Sequence, residues 1–380
     1  MKISRRNFLA VAGAAAAAAA LTACGGSSAS STSTASSAAA STASSAAEGG
    51  EKIVKVALTC DTGTIDDESF NQSCWEAVTS YMGADCQYYL PPQEASDEDR
   101  ETMIRTAVNE GADVIVCVGY LYGASLAWAA EQYPNVKFIA VDVTKVDIGT
   151  DEIPANCYCI TFKEEQAGYM AGYAITKDGK TKLGFLGGMA VPAVIRYGYG
   201  FVQGADAAAK ELGVDDVNIK YWYSGGFAAT DEVKNKMDGW YSEGTEVVFA
   251  CGGPVCQSCD AAAQANGGKM IGVDVDQSGQ FDTVITSATK GLAESVNEAL
   301  TDSLNNGWKF TEAYSGKETK LGAAENCVGL PMETSKFNKF TQEQYDAMYA
   351  SIVDGTLVID DSFDTAVTPS VTNVTVDYQG

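Results

Sequence analysis

The sequence predicts an α/β fold made of two lobes, each built on a parallel sheet covered by helices. From Lys52 onward, short β-branched runs alternate with amphipathic stretches of helical length, and Gly or Asp bounds most of the runs. Such alternation is typical of parallel sheets with helices on both faces. Because a single hydrophobic core stops growing at about 250–300 residues, the roughly 330 residues of this region favour two lobes.

Each predicted element rests on a local pattern of apolar residues. Strands are assigned to short runs rich in Val, Ile, Phe and Tyr, and helices to the stretches between them. The predicted strands are KVALTC (55–60), CQYYL (86–90), DVIVCVG (113–119), KFIAVDV (137–143), KLGFLGG (182–188), IKYWY (219–223), EVVFACG (246–252), KMIGVDVD (269–276) and VITSA (284–288). The predicted helices lie near residues 69–82, 97–110, 122–132, 163–176, 192–212, 230–243, 256–266 and 291–306.

The first predicted helix has a clear start signal. Ser69 and Gln72 have the spacing of a capping-box pair, which satisfies the first backbone N–H groups of a helix. Phe70 then follows as the first helical residue, near the end of the first strand. A large ring at that position is either a platform for a ligand or an apolar contact onto the next element, and the spacing leaves both interpretations open.

Two later helices are rich in glycine. The helix near 192–212 contains Gly198, Gly200 and Gly204, each of which costs about 1 kcal/mol relative to Ala in a helix. Gly168 and Gly172 have the spacing of a small-residue contact in the preceding helix. We therefore expect another part of the backbone to approach these positions closely.

Residues 1–23 have the pattern of an export signal, with a basic start and an Ala-rich apolar run. The run is too short and too weakly apolar for a spanning helix, which needs about 20 apolar residues. The segment SRRNFL (4–9) is typical of a twin-arginine signal, although an Arg pair also occurs in general secretory signals. LTAC (21–24) resembles a bacterial lipobox, in which Cys24 is acylated and becomes the new N-terminus. Residues 24–50, nearly all Gly, Ser, Thr and Ala, predict a flexible tether.

Composition excludes several classes of function. The chain has 25 Lys and Arg, 50 Asp and Glu, no His and a formal net charge of −25. Without His, neither a Ser-His-Asp or Cys-His catalytic site nor a His-ligated metal site is available. The negative charge repels phosphate backbones, so we expect no nucleic-acid partner. The phosphate-cradling Gly motifs of nucleotide-binding folds are also absent, which predicts no cofactor.

The ten cysteines that follow Cys24 are expected to be free thiols, because a domain of this size needs no disulfides and several of them lie in apolar strand-like runs. Cys251, Cys256 and Cys259 have the opening spacing of an iron–sulfur site, but no fourth cysteine follows at a suitable distance. Residues 274–285 resemble the opening of a calcium loop, but Ile285 stands where the loop needs Glu. We therefore predict no metal.

Candidate ligand-binding residues follow the predicted strands, since ligands of open parallel sheets bind beyond the carboxyl ends of the strands. Asp61, Gly252 and Asp274 stand at such ends, and a carboxylate there can accept two hydrogen bonds from the vicinal hydroxyls of a sugar. Phe227 lies in a Gly-rich stretch after another strand. It could form a sandwich with Phe70 around a flat ring, or simply cover a loop. Further strand-end positions are Gly119, Tyr120, Asp142, Gly187, Gly188 and Gly253.

Five segments in this order resemble the basic membrane protein family of bacterial ABC-transporter substrate-binding lipoproteins, whose characterised members include purine nucleoside receptors. The segments are DTGTIDDESFNQSCWEA, KLGFLGGMAVPAVIRYGYGFVQGA, FACGG, GVDVDQ and ITSATK, within residues 53–305. The resemblance implies a type I periplasmic-binding-protein fold of two Rossmann-like lobes. It also implies hinge crossings near 158–163, 284–290 and 316–320.

The resemblance also implies roles for individual residues. In the nucleoside-binding members the base lies between two phenylalanines, here Phe70 and Phe227. An Asp and an Asn, here Asp61 and Asn71, contact the base. The remaining matches are Asp274 and Lys290 at the ribose, with Gly252 nearby.

The chain is therefore expected to be a monomeric receptor, lipid-anchored through Cys24 on the extracytoplasmic face of the cell membrane. It would bind a nucleoside, most simply a purine one, and deliver it to an ABC permease and ATPase without chemical conversion. Lobe 1 would comprise residues 51–160 and about 288–317, and lobe 2 residues 161–287 and about 318–380. The alternatives are a binding protein for a sugar, an autoinducer or a free base, a secreted hydrolase or nucleosidase, and a sensor lipoprotein with this fold.

Overall fold

The computed structural model describes residues 55–82, 85–92, 94–307 and 309–379. The predicted export signal, Cys24 and the predicted tether lie outside these residues. Across the described ranges, none of the helices has the length and apolarity that a membrane crossing requires.

The strands and helices alternate along most of the chain. The strands are β1 (Lys55–Cys60), β2 (Cys86–Tyr89), β3 (Ala112–Val118), β4 (Lys137–Val141), β5 (Cys157–Phe162), β6 (Lys182–Gly187), β7 (Val217–Tyr223), β8 (Val247–Cys251), β9 (Lys269–Asp274), β10 (Val284–Lys290), β11 (Lys317–Leu321), β12 (Val328–Gly329) and β13 (Val374–Gln379). The helices are α1 (Phe70–Met82), α2 (Asp97–Asn109), α3 (Gly123–Gln132), α4 (Lys145–Ile148), α5 (Glu164–Lys177), α6 (Pro192–Leu212), α7 (Asp231–Ser242), α8 (Val255–Asn266), α9 (Leu292–Asn305) and α10 (Gln342–Val353).

These strands form two sheets. The first has the order β11-β5-β4-β3-β1-β2 and is parallel throughout. The second has the order β12-β10-β9-β8-β6-β7-β13, and its pairs are parallel except for β10 with β12. We call the first sheet with its helices the first lobe, and the second sheet with its helices the second lobe. The predicted α/β fold with two parallel-sheet lobes is confirmed.

The nine predicted strands and eight predicted helices are confirmed, with ends that agree to within two residues. Strands β5, β11, β12 and β13 and helices α4 and α10 are absent from the predicted set. The run KETKL of β11 carries a single apolar residue, so it has no hydrophobic pattern of its own. Its strand conformation comes from pairing with the buried β5.

The described chain passes between the sheets at the ends of three strands. It leaves the first sheet after Phe162, leaves the second after Lys290, and leaves the first again after Leu321. Residues 161–162 and 318–321 therefore belong to strands of the first sheet, and residues 288–290 to a strand of the second. The sequence-based lobe boundaries differ from these strand ends by two to four residues, because each strand continues to the edge of its sheet.

Helices α5 and α6 approach each other closely through glycines. A Cβ atom on Gly168, Gly172, Gly200 or Gly204 would lie 2.0–2.1 Å from a backbone oxygen of the facing helix. Because the side chain of glycine is a single hydrogen atom, the backbones of the two helices can come into contact at these positions. The stability gained from this contact offsets the cost of glycine inside a helix. Gly198 instead faces the Tyr221 hydroxyl, at 2.0 Å from such a Cβ. The expectation of close backbone approach is confirmed at the other four glycines and is wrong at Gly198, which a side chain approaches.

The segment after Leu330 packs on the second lobe. The Asp178 carboxylate at the end of α5 accepts backbone hydrogen bonds from Asn338, Lys339 and Phe340, at 2.5–3.1 Å. Strand β13 then pairs in parallel with β7 and adds an edge to the second sheet. This segment is therefore an integral part of that lobe.

The glycine contact between α5 and α6 predicts a large effect of one methyl group. Replacing Gly172 by Ala should lower the free energy of unfolding by about 1–3 kcal/mol or more, because the two helices must separate. Gly239 is the matched control: it lies on the exposed face of α7, and no atom of the described residues lies within 4 Å of the position of a Cβ. Replacing it by Ala should stabilise the protein by roughly 1 kcal/mol. Urea denaturation measures both values, and equal effects of the two substitutions would contradict the packing argument.

Candidate functional site

A buried lysine lies where the two lobes meet. The Nζ atom of Lys290, the last residue of β10, is 2.6 Å from Oδ2 of Asp142 and 3.3 Å from Oε1 of Glu164. Its side chain is only 2 % exposed. Asp142 follows β4 of the first lobe, so the ion pair joins strand ends of different lobes. The ring centroids of Phe70 and Phe162 lie 5.0 and 5.2 Å from the ammonium.

A second ion pair extends this cluster. Glu164 opens α5 and is fully buried, and its Oε2 accepts a hydrogen bond of 2.7 Å from Nε of Arg196 in α6. Burial raises the pKa of Glu164, but Arg196 and Lys290 together hold it below its ordinary value. Burial lowers the pKa of Lys290, but the neighbouring carboxylates raise it well above its ordinary value. Burial raises the pKa of Asp142 to about 6, although the positive charge of Lys290 acts to lower it. The cluster is therefore held together by mutual charge compensation.

Asp274 ends β9 beside this cluster and has a left-handed backbone, with φ at 65°. Its Oδ2 accepts a 2.7 Å hydrogen bond from the Ser69 hydroxyl of the first lobe. Its Oδ1 accepts a longer one, 3.4 Å, from the Tyr197 hydroxyl. Burial raises the pKa of Asp274, and Lys290 opposes that shift. This carboxylate is thus oriented by side chains of both lobes.

Asp61 lies at the end of β1. Its Oδ2 accepts a 3.1 Å hydrogen bond from the backbone N–H of Leu121, and its backbone oxygen accepts two hydrogen bonds of 3.3 Å from Arg100. Burial raises the pKa of the carboxyl to about 7. The carboxyl occupies the place of a side chain at Gly119, where a Cβ would lie 2.0 Å from it. Glycine at position 119 therefore makes room for the Asp61 carboxyl.

The loop between β1 and α1 is organised by Asp67. Its carboxylate accepts backbone hydrogen bonds of 3.0 Å from Ser69, Asn71 and Gln72. The predicted Ser69–Gln72 capping box is wrong, because Gln72 accepts from the N–H of Glu68 and Asp67 caps the helix. The Ser69 hydroxyl is consequently available to the other lobe.

The Asn71 side chain has a defined orientation. Its Nδ2 donates to the Thr62 backbone oxygen and to the Asp67 carboxylate, both at 3.1 Å. Both partners can only accept, so the amide nitrogen must face them. The Oδ1 atom is buried and has no hydrogen-bond partner among the described residues. Asn71 therefore offers an acceptor and needs a donor.

Phe227 lies in the loop after β7 and packs against two glycines. A Cβ at Gly188 would lie 2.4 Å from Cδ1 of this ring, and one at Gly252 would lie 3.1 Å from it. Gly252 also has a φ of 152°, which other residues rarely adopt. Trp222 is instead covered by Lys236, whose Nζ lies 5.4 Å from the centroid of the indole ring. Phe227 and Gly252 thus form one contact, separate from Trp222.

The structure brings Phe70, Asp274 and Lys290 of the predicted site into one cluster, and Phe227 and Gly252 into another. Asp61 directly follows β1 and Asn71 lies in the first turn of α1. Neither is among the hydrogen-bond or ion-pair partners of Lys290 in the described residues. Sequence reasoning missed the roles of Ser69, Glu164, Arg196 and Tyr197. For Asp142, the sequence contains one indication of a functional role, namely its position at the end of a predicted strand.

The three cysteines with iron–sulfur spacing, Cys251, Cys256 and Cys259, are free and buried. Burial is the main cause that raises the pKa of each thiol. Within the described part of the chain no group of three or more Cys, Asp or Glu residues is placed to hold a metal ion.

Comparison with known sequences identifies the family. The model of the family described as ABC transporter substrate-binding protein PnrA-like matches residues 53–362, nearly all of the described chain. The chain belongs to this PnrA-like family. A second model, of the twin-arginine translocation pathway signal sequence, matches residues 2–22. The PnrA-like family and the export signal indicate an extracytoplasmic location.

Named relatives agree with this assignment. Basic membrane protein A of Borreliella burgdorferi is 29% identical over 314 residues, which cover 82% of this chain and 88% of that protein. The ABC transporter nucleoside-binding protein BmpA of Lactococcus lactis is 30% identical over 240 residues, covering 59% of this chain and 64% of that protein. The expected resemblance to the basic membrane protein family is confirmed.

Solved structures support the fold of this PnrA-like protein. The ABC transporter solute-binding protein of Aeropyrum pernix K1 superposes with a TM-score of 0.68 at 21% identity, covering 82% of this chain and 95% of that one. The corresponding protein of Conexibacter woesei gives a TM-score of 0.64 at 21% identity, covering 81% and 99%. The expected periplasmic-binding-protein fold is therefore confirmed.

The buried charge cluster predicts a pH-dependent defect. Replacing Lys290 by Met should lower the free energy of unfolding by about 3–5 kcal/mol, because Asp142 and Asp274 lose their buried cation. Loss of the cation raises the pKa of these carboxyls further, so the native variant binds protons that its unfolded chain does not. Its deficit relative to the wild type should therefore grow between about pH 5.5 and about pH 8.

Urea denaturation at the two pH values measures this deficit. Replacement of the exposed Lys210 by Met is the control and should change stability little at either pH. A deficit that is the same at both pH values would contradict the charge-compensation argument.

Proposed function

We propose that this protein is a monomeric receptor that binds a nucleoside, in first place a purine nucleoside, between its two lobes. It delivers the nucleoside unchanged to an ABC permease and its ATPase. The observation that carries the proposal is the buried cluster at the junction of the lobes, in which the Lys290 ammonium pairs with Asp142, lies beside the Phe70 ring and is influenced by the charge of Asp274.

The chemistry of this cluster suits a ribose. The vicinal hydroxyls of a ribose donate hydrogen bonds to a carboxylate and accept them from an ammonium group, and hydrogen bonds to charged groups are among the strong ones. Asp274 supplies the carboxylate and Lys290 the ammonium. Asp142 also keeps a buried Oδ1 atom without a partner among the described residues, so the cluster has acceptor capacity left for a donor.

The base would lie between Phe70 of the first lobe and Phe227 of the second. A flat heterocycle stacks on each ring with a gain on the order of 1 kcal/mol. Asp61 offers an acceptor, and so does Oδ1 of Asn71, which has no partner within the described part of the chain. N–H groups of a base are the matching donors. The Lactococcus lactis relative is itself named a nucleoside-binding protein.

A panel of ligands tests this function. Calorimetric titration with inosine, guanosine and adenosine should show binding, whereas ribose, galactose and free adenine should bind far more weakly. Binding of a sugar or a free base in preference to every nucleoside would overturn the proposal. Release of free base and ribose from a nucleoside during incubation would show that the protein is a nucleosidase instead.

One substitution tests the assigned role of Asp274. Replacing Asp274 by Ala should weaken inosine binding by roughly ten- to a hundredfold, because a charged hydrogen-bond partner worth about 1.5–3 kcal/mol is lost. Replacing Asp282, an exposed carboxylate of the same lobe, by Ala should leave the dissociation constant unchanged. Unchanged inosine affinity in the Asp274 variant would refute the assignment.

We further infer that Cys24 carries the lipid that anchors the protein to the outer face of the cell membrane. The support is the LTAC segment (21–24), which overlaps the end of the matched export signal (2–22). Stable anchoring needs more than one acyl chain. In cell fractionation, the wild type should therefore sediment with membranes, and the Cys24→Ser variant should not. Membrane association that persists in this variant would contradict the inference.

A further inference from the structure

We propose that Ser69 and Gln277 form a clasp that holds the two lobes together without ligand and orients Asp274 only in the closed form. The orientation of Asp274 toward a sugar rests on the proposed function, whereas the clasp itself does not. Each half of the clasp comes from a different lobe, Ser69 from the β1–α1 loop and Gln277 from the turn after β9.

Ser69 contributes the first bond between the lobes. The residue is fully buried, and its hydroxyl donates to Oδ2 of Asp274 at 2.7 Å. Because Asp67 already caps α1, the helix does not need this hydroxyl. Its contact with the other lobe is therefore its main polar role.

Gln277 contributes the second bond, and both the oxygen and the nitrogen of its side-chain amide form hydrogen bonds. Its Oε1 accepts from the backbone N–H of Val273 at 3.0 Å, and its Nε2 donates to the backbone oxygen of Glu68 at 3.0 Å. The N–H can only donate and the carbonyl can only accept, so the amide orientation is fixed. Gln277 is fully buried, and a Cβ at Gly272 would lie 2.5 Å from Oε1. One side chain thus fixes the backbone just before Asp274 and reaches the facing lobe.

Both sides of the clasp carry backbone strain. Glu68 has a φ of 56° and Asp274 a φ of 65°, although neither is glycine. Residues in such conformations persist where the surrounding contacts over-determine them, and they concentrate at ligand clamps and switch regions. Here the strained carbonyl of Glu68 and the strained carboxylate residue Asp274 are the two acceptors of the cross-lobe bonds.

The clasp couples closure to recognition. When the lobes separate, Asp274 loses the Ser69 hydroxyl and keeps the longer bond to Tyr197. Ser69 and Gln277 are therefore positioning residues for Asp274. The bond from Gln277 to Glu68 should favour the closed form by roughly three- to tenfold, and the bond from Ser69 to the Asp274 carboxylate by roughly ten- to a hundredfold, because its acceptor is charged.

Small-angle X-ray scattering of the ligand-free protein tests the clasp directly. The variants are Ser69→Ala and Gln277→Glu; the second is nearly isosteric and can still accept from Val273 but cannot donate to Glu68. Both should have a larger radius of gyration than the wild type. The controls, Ser242→Ala and Gln264→Ala, alter exposed residues of the second lobe and should scatter like the wild type. Equal radii for all five proteins would overturn the clasp.

A second readout tests the orientation of Asp274. The wild type should bind inosine much more tightly than 2′,3′-dideoxyinosine, and Ser69→Ala should reduce that ratio by about tenfold or more, because a hydrogen bond to a charged acceptor is lost. A loss of structure alone would weaken both ligands equally and leave the ratio unchanged, which would refute the positioning role. If the wild type bound no nucleoside, the proposed function would fail, while the scattering result would still decide the clasp.

Discussion

The packing of the two sheets against each other depends on one buried lysine, Lys290. An isolated ammonium in a protein interior would be strongly unfavourable, so Lys290 requires the carboxylates of Asp142 and Glu164 at its Nζ. Those partners belong to different elements, the end of β4 and the start of α5. Satisfying one buried charge therefore brings together both sheets and the first crossing between them. The same requirement places Asp274 where its charge is compensated.

Around this cluster the fold supplies rigid positions. The parallel strands of each sheet end at one edge, and Asp61, Asp142 and Asp274 stand at three such ends. The α5–α6 glycine contact fixes Arg196 and Tyr197 in α6 relative to Glu164 in α5. Side chains on such elements are held more precisely than side chains on long loops. Each charged group therefore has a defined position on its own lobe.

Local patterns were sufficient to predict much of this architecture. The hydrophobic runs predicted nine strands closely, and their ends pointed to Asp61 and Asp274. The glycines of α5 and α6 indicated a close contact without naming its partner. The capping assignment failed because Asp67 and Ser69 are equally good caps by sequence. Which of them faces the other lobe depends on tertiary packing.

Other features had no local signal. The Glu164–Arg196 pair joins residues 32 positions apart, and nothing in either neighbourhood distinguishes it from surface charges in an acidic chain. Strand β11 carries a single apolar residue and is a strand because the buried β5 offers its edge. Such elements follow from the assembled sheet and not from their own composition.

The most direct test of the central claim is a crystal structure of the protein grown with inosine. The account predicts the base between the rings of Phe70 and Phe227, with a ribose hydroxyl within hydrogen-bonding distance of the Asp274 carboxylate and of the Lys290 ammonium. Inosine bound outside this junction, or bound there with its sugar turned away from Asp274, would contradict it.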